Sequence, residues 1–194
     1  MQIEVLLTGI GGQGVQLCAK ALAMAATAEG RQAMLSSHYG GEMRGGQTEA
    51  SVVVADGQLR SLPIIPSAGS AFVMHHAHWS PVADRLRPGS VVIFNSTVMP
   101  PEGLAPGAAN LHMVGVPATA MAAEAGAPMT AGFVLLGAFA SATRLVGLDA
   151  VVEAMKELVP PYRREHIAAN EAAIRAGAGE VDPGQVDLWA VPAS

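Results

Sequence analysis

The chain has 194 residues, of which 51% are hydrophobic and 14% charged, and this is enough for one substantial domain with a buried core. Its 11 basic and 16 acidic residues give a net charge of -5, and the absence of a clustered basic face argues against a nucleic-acid-binding protein. The single cysteine, Cys18, excludes an internal disulfide and a cysteine-ligated zinc or iron–sulfur cluster within this sequence.

Strands and helices alternate along the first two thirds of the sequence. Short apolar runs bounded by glycine, proline or polar residues predict strands, in chain order, at residues 3–7, 32–36, 48–54, 59–64, 71–75, 90–94 and 111–116. Stretches rich in helix-forming residues predict helices at Val15–Ala28, 80–86, 117–125, 130–146, Leu148–Leu158 and 162–176. The Asp56-Gly57 turn signal predicts that residues 59–64 return as the hairpin partner of residues 48–54.

This element order predicts an α/β fold with a mostly parallel sheet, helices on both faces, a β-hairpin insertion and a helical C-terminal part. We expect a single domain over residues 1–177 and an extended tail over 178–194. The apolar run at 131–142 is shorter than the ~20 residues a membrane span needs, so it predicts a buried core helix. With no signal-peptide pattern at the N-terminus, we expect a cytoplasmic protein without membrane contact.

A glycine loop follows the first predicted strand and opens the first helix. Gly9, Gly11 and Gly14 satisfy the pattern G-x-G-x-x-G, and Gly12 adds a fourth glycine. Glycines permit a tight turn, leave backbone N–H groups uncovered, and place an anion at a helix N-terminus. The pattern is equally compatible with tight strand–helix packing alone, so a bound phosphate and a purely structural loop both stay open.

A nicotinamide dinucleotide would require an acidic residue near the end of the second strand, about 20 residues beyond the loop. That strand end reads Ser36-Ser37-His38, and the first acid is Glu42, inside a second glycine-rich turn. Arg44, which an NADP site could use, lies in the same turn. The loop therefore suits another phosphate-bearing ligand better than NAD(P).

The second glycine-rich segment is YGGEMRGG, from Tyr39 to Gly46. In a doubly wound sheet it would leave the carboxyl end of the second strand, at the same edge as the first glycine loop. Tyr39, Glu42 and Arg44 would then meet that loop at one crevice. Alternatively, Glu42 and Arg44 form an exposed ion pair on a surface loop, a contact that contributes little.

Several motifs together resemble one known family. GIGGQG follows an N-terminal strand; YGGEMRGG comes about 25 residues later, ahead of ADGQLRSLPI; and the C-terminal part contains GFVLLGA and REHIAANEAAIRAG. Over about residues 3–177 these features are similar to the gamma subunit, or the corresponding internal domain, of 2-oxoacid:ferredoxin oxidoreductases. The combination is much more specific than G-x-G-x-x-G alone.

The resemblance implies a Rossmann-like subunit of an enzyme that oxidatively decarboxylates a 2-oxoacid, such as pyruvate, 2-oxoglutarate or ketoisovalerate, to acyl-CoA. Alpha and beta subunits, and in some complexes a ferredoxin-like delta subunit, would carry thiamine diphosphate with Mg²⁺ and the iron–sulfur clusters. The gamma subunit is associated with coenzyme A binding and complex assembly. The isolated chain would therefore be inactive, and whether it forms a homodimer is left open.

The same resemblance makes coenzyme A the ligand of the glycine loop. Its phosphates would be held by backbone N–H groups of Ile10, Gly11, Gly12, Gln13 and Gly14. Arg44 would add a charge-assisted contact. Asn170 is a further candidate, as a polar contact or as a helix-surface residue. Thr130 stands where the family commonly has asparagine, which puts a ligand contact at that position in doubt.

The other reactive side chains indicate no catalytic centre, and no catalytic residue is assigned. His75 and His76 are adjacent, so their side chains should point apart, and the His75-His76-His78 segment predicts a crevice-edge loop rather than a metal site. Cys18 is expected to be a buried, inert thiol. Trp189 would anchor the tail on a partner subunit or lie in a disordered segment. Two alternative functions stay open: a purely structural subunit with an empty loop, and a stand-alone NAD(P) dehydrogenase.

Overall fold

A computed structural model of the chain describes residues 1–39, 45–59, 65–100, 104 and 108–190. The strands are β1 (Gln2–Ile10), β2 (Gln32–Tyr39), β3 (Gln47–Ala55), β4 (Ala68–Val73), β5 (Leu86–Asn95) and β6 (His112–Val116). The helices are α1 (Val15–Ala28), α2 (Trp79–Ala83), α3 (Ala118–Glu124), α4 (Ala131–Thr143), α5 (Leu148–Leu158) and α6 (Ile167–Gly179). Short 3-10 turns at His76–His78, Pro128–Thr130 and Pro161–His166 precede α2, α4 and α6.

The described strands form one sheet in the order β2-β3-β1-β4-β5-β6. β1 pairs in parallel with β4, β4 with β5 and β5 with β6, whereas β3 runs antiparallel to both of its neighbours. The predicted mostly parallel sheet is confirmed. The predicted pairing of β3 with residues 59–64 was wrong, because β1 and β2 pair along both edges of β3. Residues 60–64 lie outside the described residues.

Alternation along the strands divides the core between the two faces of the sheet. Val5 and Leu7 of β1 belong to the larger cluster, which also contains the buried residues of α1, α3, α4, α5 and α6. Leu6 points to the other face, where Trp79 and Val82 of α2 complete a smaller cluster. Helices therefore lie on both faces, as predicted, and most of the helical mass lies on one.

The central helix is α4, in which every residue except Ser141 is buried. Its continuous apolar sequence predicted this position. α4 packs against α6 at two glycines: a Cβ atom on Gly137 would lie 1.8 Å from the carbonyl oxygen of Ile174, and one on Gly177 would lie 1.8 Å from that of Val134. The two backbones thus touch directly. Within the described part of the chain, none of the helices has the length and apolar character that crossing a bilayer requires.

Element boundaries between residues 80 and 90 differ from the predicted ones. α2 ends at Ala83, and β5 begins at Leu86 and runs through Pro88-Gly89, where the sequence predicted a turn before the strand. Gly89 has a φ of 82°, and the β4–β5 ladder changes register between Ala68 and Ser70. Pro88-Gly89 therefore does interrupt regular strand geometry, but it does so inside a longer strand and not before the strand begins.

The segment after α6 packs on this chain. Backbone N–H groups of Gly184, Val186 and Leu188 donate to the last carbonyls of α4 at 2.8–3.0 Å. The Trp189 indole N–H donates to the carbonyl of Leu145 at 3.1 Å. These bonds satisfy carbonyls that a helix C-terminus leaves without partners. The proposed contact of Trp189 with a partner subunit stays a prediction.

Candidate functional site

The glycine loop joins the carboxyl end of β1 to the N-terminus of α1. Gly12 and Gly14 have φ values of 101° and 76°, in the left-handed region that favours glycine. Gly14 is the N-cap residue of α1; no side chain caps this helix, and its first turn contains no acidic residue. The N–H groups of that turn therefore keep the partial positive charge of a helix N-terminus.

Three of the five predicted loop donors are already used within the chain. The N–H of Ile10 donates to Oε1 of Gln13 at 2.9 Å, that of Gly11 to the carbonyl of Gly46 at 2.9 Å, and that of Gln13 to the carbonyl of Ile10 at 3.2 Å. Among the described residues, the N–H groups of Gly12 and Gly14 find no acceptor. An anion at this loop would therefore be bound by these two groups and the first turn of α1.

The two glycine segments do meet at the carboxyl edge of the sheet. Besides the Gly11–Gly46 hydrogen bond, a Cβ on Gly11 would lie 3.2 Å from the backbone nitrogen of Gly45. Residues 40–44, which include Glu42 and Arg44, lie outside the described residues. The contact predicted for Arg44 therefore stays a prediction.

A cavity of about 700 Å³ opens beside the loop, a volume typical of small-molecule sites. Its walls come from the glycine loop and first turn of α1, from residues 126–133 around the start of α4, and from residues 158–170 between α5 and α6. Gly132 lets the start of α4 pack directly against the glycine loop and α1. A Cβ at this position would lie 2.7 Å from the carbonyl oxygen of Gln13 and 3.2 Å from Sγ of Cys18. A larger residue at Gly132 would push the start of α4 away from the loop.

The cavity favours an anion. α1 and α4 both begin on its wall, at Gly14 and Thr130, and neither helix has a side-chain cap. Arg163 and His166 also line it, and none of its described lining residues is acidic. Helix N-termini and a guanidinium both attract negative charge. A cavity with two helix N-termini and Arg163 on its walls, and mostly apolar side chains elsewhere, therefore suits a bound phosphate.

Asn170 places an amide in this cavity from the first turns of α6. The residue is 8% exposed, and within the described residues its side chain has no hydrogen-bond partner. Its amide therefore faces the open cavity, where water or a bound molecule can hydrogen-bond to it. Thr130 differs, because its hydroxyl donates to the carbonyl of Ala127 at 2.7 Å.

Cys18 lines the same cavity and is 1% exposed. Burial away from water raises the pKa of its thiol to about 12, and its own backbone hydrogen bond lowers it slightly. The thiol therefore stays protonated at neutral pH, in agreement with the predicted inert role.

In the His75-His76-His78 segment, the rings of His75 and His76 are in opposite tautomers. Nδ1 of His75 accepts from the N–H of Ala77 at 3.2 Å, whereas Nδ1 of His76 lies 2.8 Å from the carbonyl of Val98 and must donate to it. The two rings stack with their centres 4.4 Å apart, so the prediction that these side chains point apart was wrong. Burial, and then the charges of His76 and His78, lower the pKa of His75. Among the described residues, no group of three His, Cys, Asp or Glu side chains could hold a metal ion.

The structure thus gathers Gly12, Gln13, Gly14 and Asn170 of the predicted residues around one cavity, while Ile10 and Gly11 support the loop from outside it. The sequence did not predict that Arg163 and His166 would lie there. No local signal could have found them, because their place depends on how the turn before α6 packs against a loop about 150 residues earlier in the chain.

Nearly the whole chain is similar to one known protein family. Residues 4–180 match the family model described as pyruvate ferredoxin/flavodoxin oxidoreductase. The 2-oxoglutarate synthase subunit KorC of Methanothermobacter marburgensis is 32% identical over 95% of this chain and 100% of its own length. The gamma subunit of a keto/oxoacid ferredoxin oxidoreductase from Geobacter sulfurreducens is 25% identical, with a TM-score of 0.79 over 93% of this chain and 96% of that one.

A third similarity concerns the fold alone. The 2-oxoglutarate:ferredoxin oxidoreductase of Magnetococcus marinus, solved with 2-oxoglutarate, coenzyme A and succinyl-CoA bound, is 15% identical to this chain. The TM-score is 0.76, over 94% of this chain and 32% of that one. The fold of this chain therefore corresponds to about a third of that larger polypeptide.

Proposed function

Since the chain belongs to the pyruvate ferredoxin/flavodoxin oxidoreductase family and is a gamma subunit of a 2-oxoacid:ferredoxin oxidoreductase complex, we propose that its cavity binds coenzyme A for that complex. The complex would convert a 2-oxoacid and coenzyme A to acyl-CoA and CO₂ and pass the electrons to ferredoxin. This chain would hold the acyl acceptor and contribute to assembly.

One observation carries the proposal: the unpartnered amide of Asn170 and the uncapped start of α1 line the same cavity. The diphosphate of coenzyme A would accept hydrogen bonds from Gly12, Gly14 and the first turn of α1. The amide would contact the polar groups of the same ligand, and the apolar walls would cover its remaining surface. Coenzyme A is also bound in the larger Magnetococcus protein of the same fold, which makes it the first ligand to test.

The alternative of an NAD(P) dehydrogenase is not supported by the sheet order. In a dinucleotide-binding fold the second strand lies beside the first, and its acid reaches the ribose. Here β3 separates β2 from β1, and the backbone of Gly46 is hydrogen-bonded to Gly11. The strand that would carry such an acid is therefore displaced by one position from the loop.

The other cofactors would lie on partner chains. We propose that alpha and beta subunits, and a ferredoxin-like delta subunit where present, hold thiamine diphosphate with Mg²⁺ and the iron–sulfur clusters, and that the complex acts in the cytoplasm. Cys18, the only cysteine, lies buried with a protonated thiol, which suits a chain that carries no cluster of its own.

The test is calorimetric titration of the full chain, alone and in its assembled complex, with coenzyme A and then with NADH. Asn170→Ala should weaken coenzyme A binding about tenfold, because a hydrogen bond to a buried amide contributes on the order of 1–2 kcal/mol. Its Tm should stay within about 2 °C of the wild type, because no bond inside the described chain is lost. Asn110→Ala, at an exposed position outside the cavity, is the matched control.

No binding of coenzyme A to the assembled complex would refute the proposal and leave a structural subunit. Binding of NADH in its place would favour the dehydrogenase. If Asn170→Ala lowers Tm and affinity together, the amide supports the fold and does not contact the ligand.

A further inference from the structure

Two basic side chains line the cavity without belonging to the glycine loop. Arg163 and His166 lie on the 3-10 turn Pro161–His166 that leads into α6. Arg163 is exposed while it lines the cavity, so its guanidinium lies at the opening. Its central carbon lies 5.7 Å from the centre of the Tyr162 ring, and within the described residues it pairs with no carboxylate. His166 differs, because its Nε2 lies 3.7 Å from a carboxylate oxygen of Glu165. The charge of Arg163, by contrast, is available to a ligand.

This basic pair and the glycine loop offer two different kinds of anion site. Gly12, Gly14 and the first turn of α1 donate through backbone N–H groups, which carry only partial charge and suit the spread charge of a diphosphate. A guanidinium carries a full charge and binds a phosphate monoester through paired hydrogen bonds. A monoester concentrates a charge of about -1.5 to -2 on one phosphate near neutral pH, whereas the diphosphate spreads its charge over two phosphates.

Resting on the coenzyme A function proposed above, we infer that Arg163, assisted by His166, forms a separate subsite that binds the ribose phosphate of coenzyme A. The diphosphate occupies the glycine loop, and the ribose phosphate lies at the cavity opening beside the 3-10 turn. Arg163 is then the residue that selects coenzyme A over dephospho-coenzyme A, which lacks only this phosphate.

The experiment measures the affinity of the assembled complex for coenzyme A and for dephospho-coenzyme A by equilibrium dialysis at fixed ionic strength. The wild type should bind coenzyme A about tenfold more tightly, as expected for one charge-assisted contact at a partly exposed site. Arg163→Gln should lose this preference by weakening coenzyme A binding alone. Arg164→Gln is the matched control, because Arg164 is the neighbouring exposed arginine and does not line the cavity.

Comparing each variant with each ligand isolates the contact between the guanidinium and the ribose phosphate. The inference is overturned, with the proposed function intact, if Arg163→Gln weakens both ligands equally or leaves the preference unchanged. It is also overturned if Arg164→Gln abolishes the preference to the same extent, since a general surface charge would then be responsible. If the wild-type complex binds neither ligand, the proposed function itself is refuted.

Discussion

Gly137→Ala should destabilise the fold more than any surface substitution, because it forces apart the helices that position the cavity. The added Cβ would lie 1.8 Å from the carbonyl oxygen of Ile174 and 2.6 Å from its carbonyl carbon, whereas ordinary contacts begin near 3.4 Å. The obstacle is backbone, which cannot move to another rotamer. α4 and α6 must therefore separate by more than an ångström along their contact.

The magnitude follows from two opposing effects. Alanine is favoured over glycine inside a helix by about 1 kcal/mol. Overpacking a close interior contact costs about 1–3 kcal/mol when side chains can adjust, and more when only the backbone can move. We therefore expect a net loss of about 3 kcal/mol, and for a chain of this size a fall in Tm on the order of 10 °C.

Thermal and urea denaturation of the full chain, followed by circular dichroism, measure this loss. Gly179→Ala is the matched control, because Gly179 lies at the end of α6, the helix that Gly137 of α4 contacts, and a Cβ there meets nothing within 4 Å. The control should be neutral or slightly stabilising. A Gly137→Ala chain as stable as the wild type would show that α4 and α6 do not pack at the distance described. Since Asn170 lies on α6, the same variant should also weaken coenzyme A binding.

Two further predictions concern titratable groups. The Cys18 thiol, buried and with its pKa raised to about 12, should react with a chromogenic disulfide reagent at about pH 8 only after unfolding, and rapid labelling of the native chain would contradict its burial. Hydrogen bonds from Lys156, and then from Arg175, hold the pKa of Glu171 below its ordinary value of 4.5. The ionised carboxylate therefore stabilises the fold above pH 4.5, and this stabilisation is lost as the pH falls through the lowered pKa. Urea denaturation should therefore show a smaller fall in stability below about pH 5 for Glu171→Gln than for the wild type, and equal slopes would refute the contribution of these bonds.

The site could be predicted only in part from the sequence. Gly12 and Gly14 follow from a local pattern, because a strand that runs into glycines and a helix produces uncovered N–H groups wherever it occurs. The loss of Ile10 and Gly11 as donors could not be predicted, since their N–H groups are used by the Gln13 side chain and by the backbone of Gly46. Asn170 was proposed from the resemblance, and its lack of a partner became visible only in the folded chain.

The sequence by itself determined where most elements lie, including both ends of α1 and α5, and the burial of α4, because helix propensity, glycine stops and apolar periodicity act within a few residues. Its motifs also indicated the family. Only the tertiary structure decided that β3 enters the sheet between β1 and β2, that α4 begins against the glycine loop, and that Arg163 reaches the same cavity. These features depend on contacts between residues far apart in the chain, where the packing of one backbone against another, as at Gly132 and Gly137, sets the geometry.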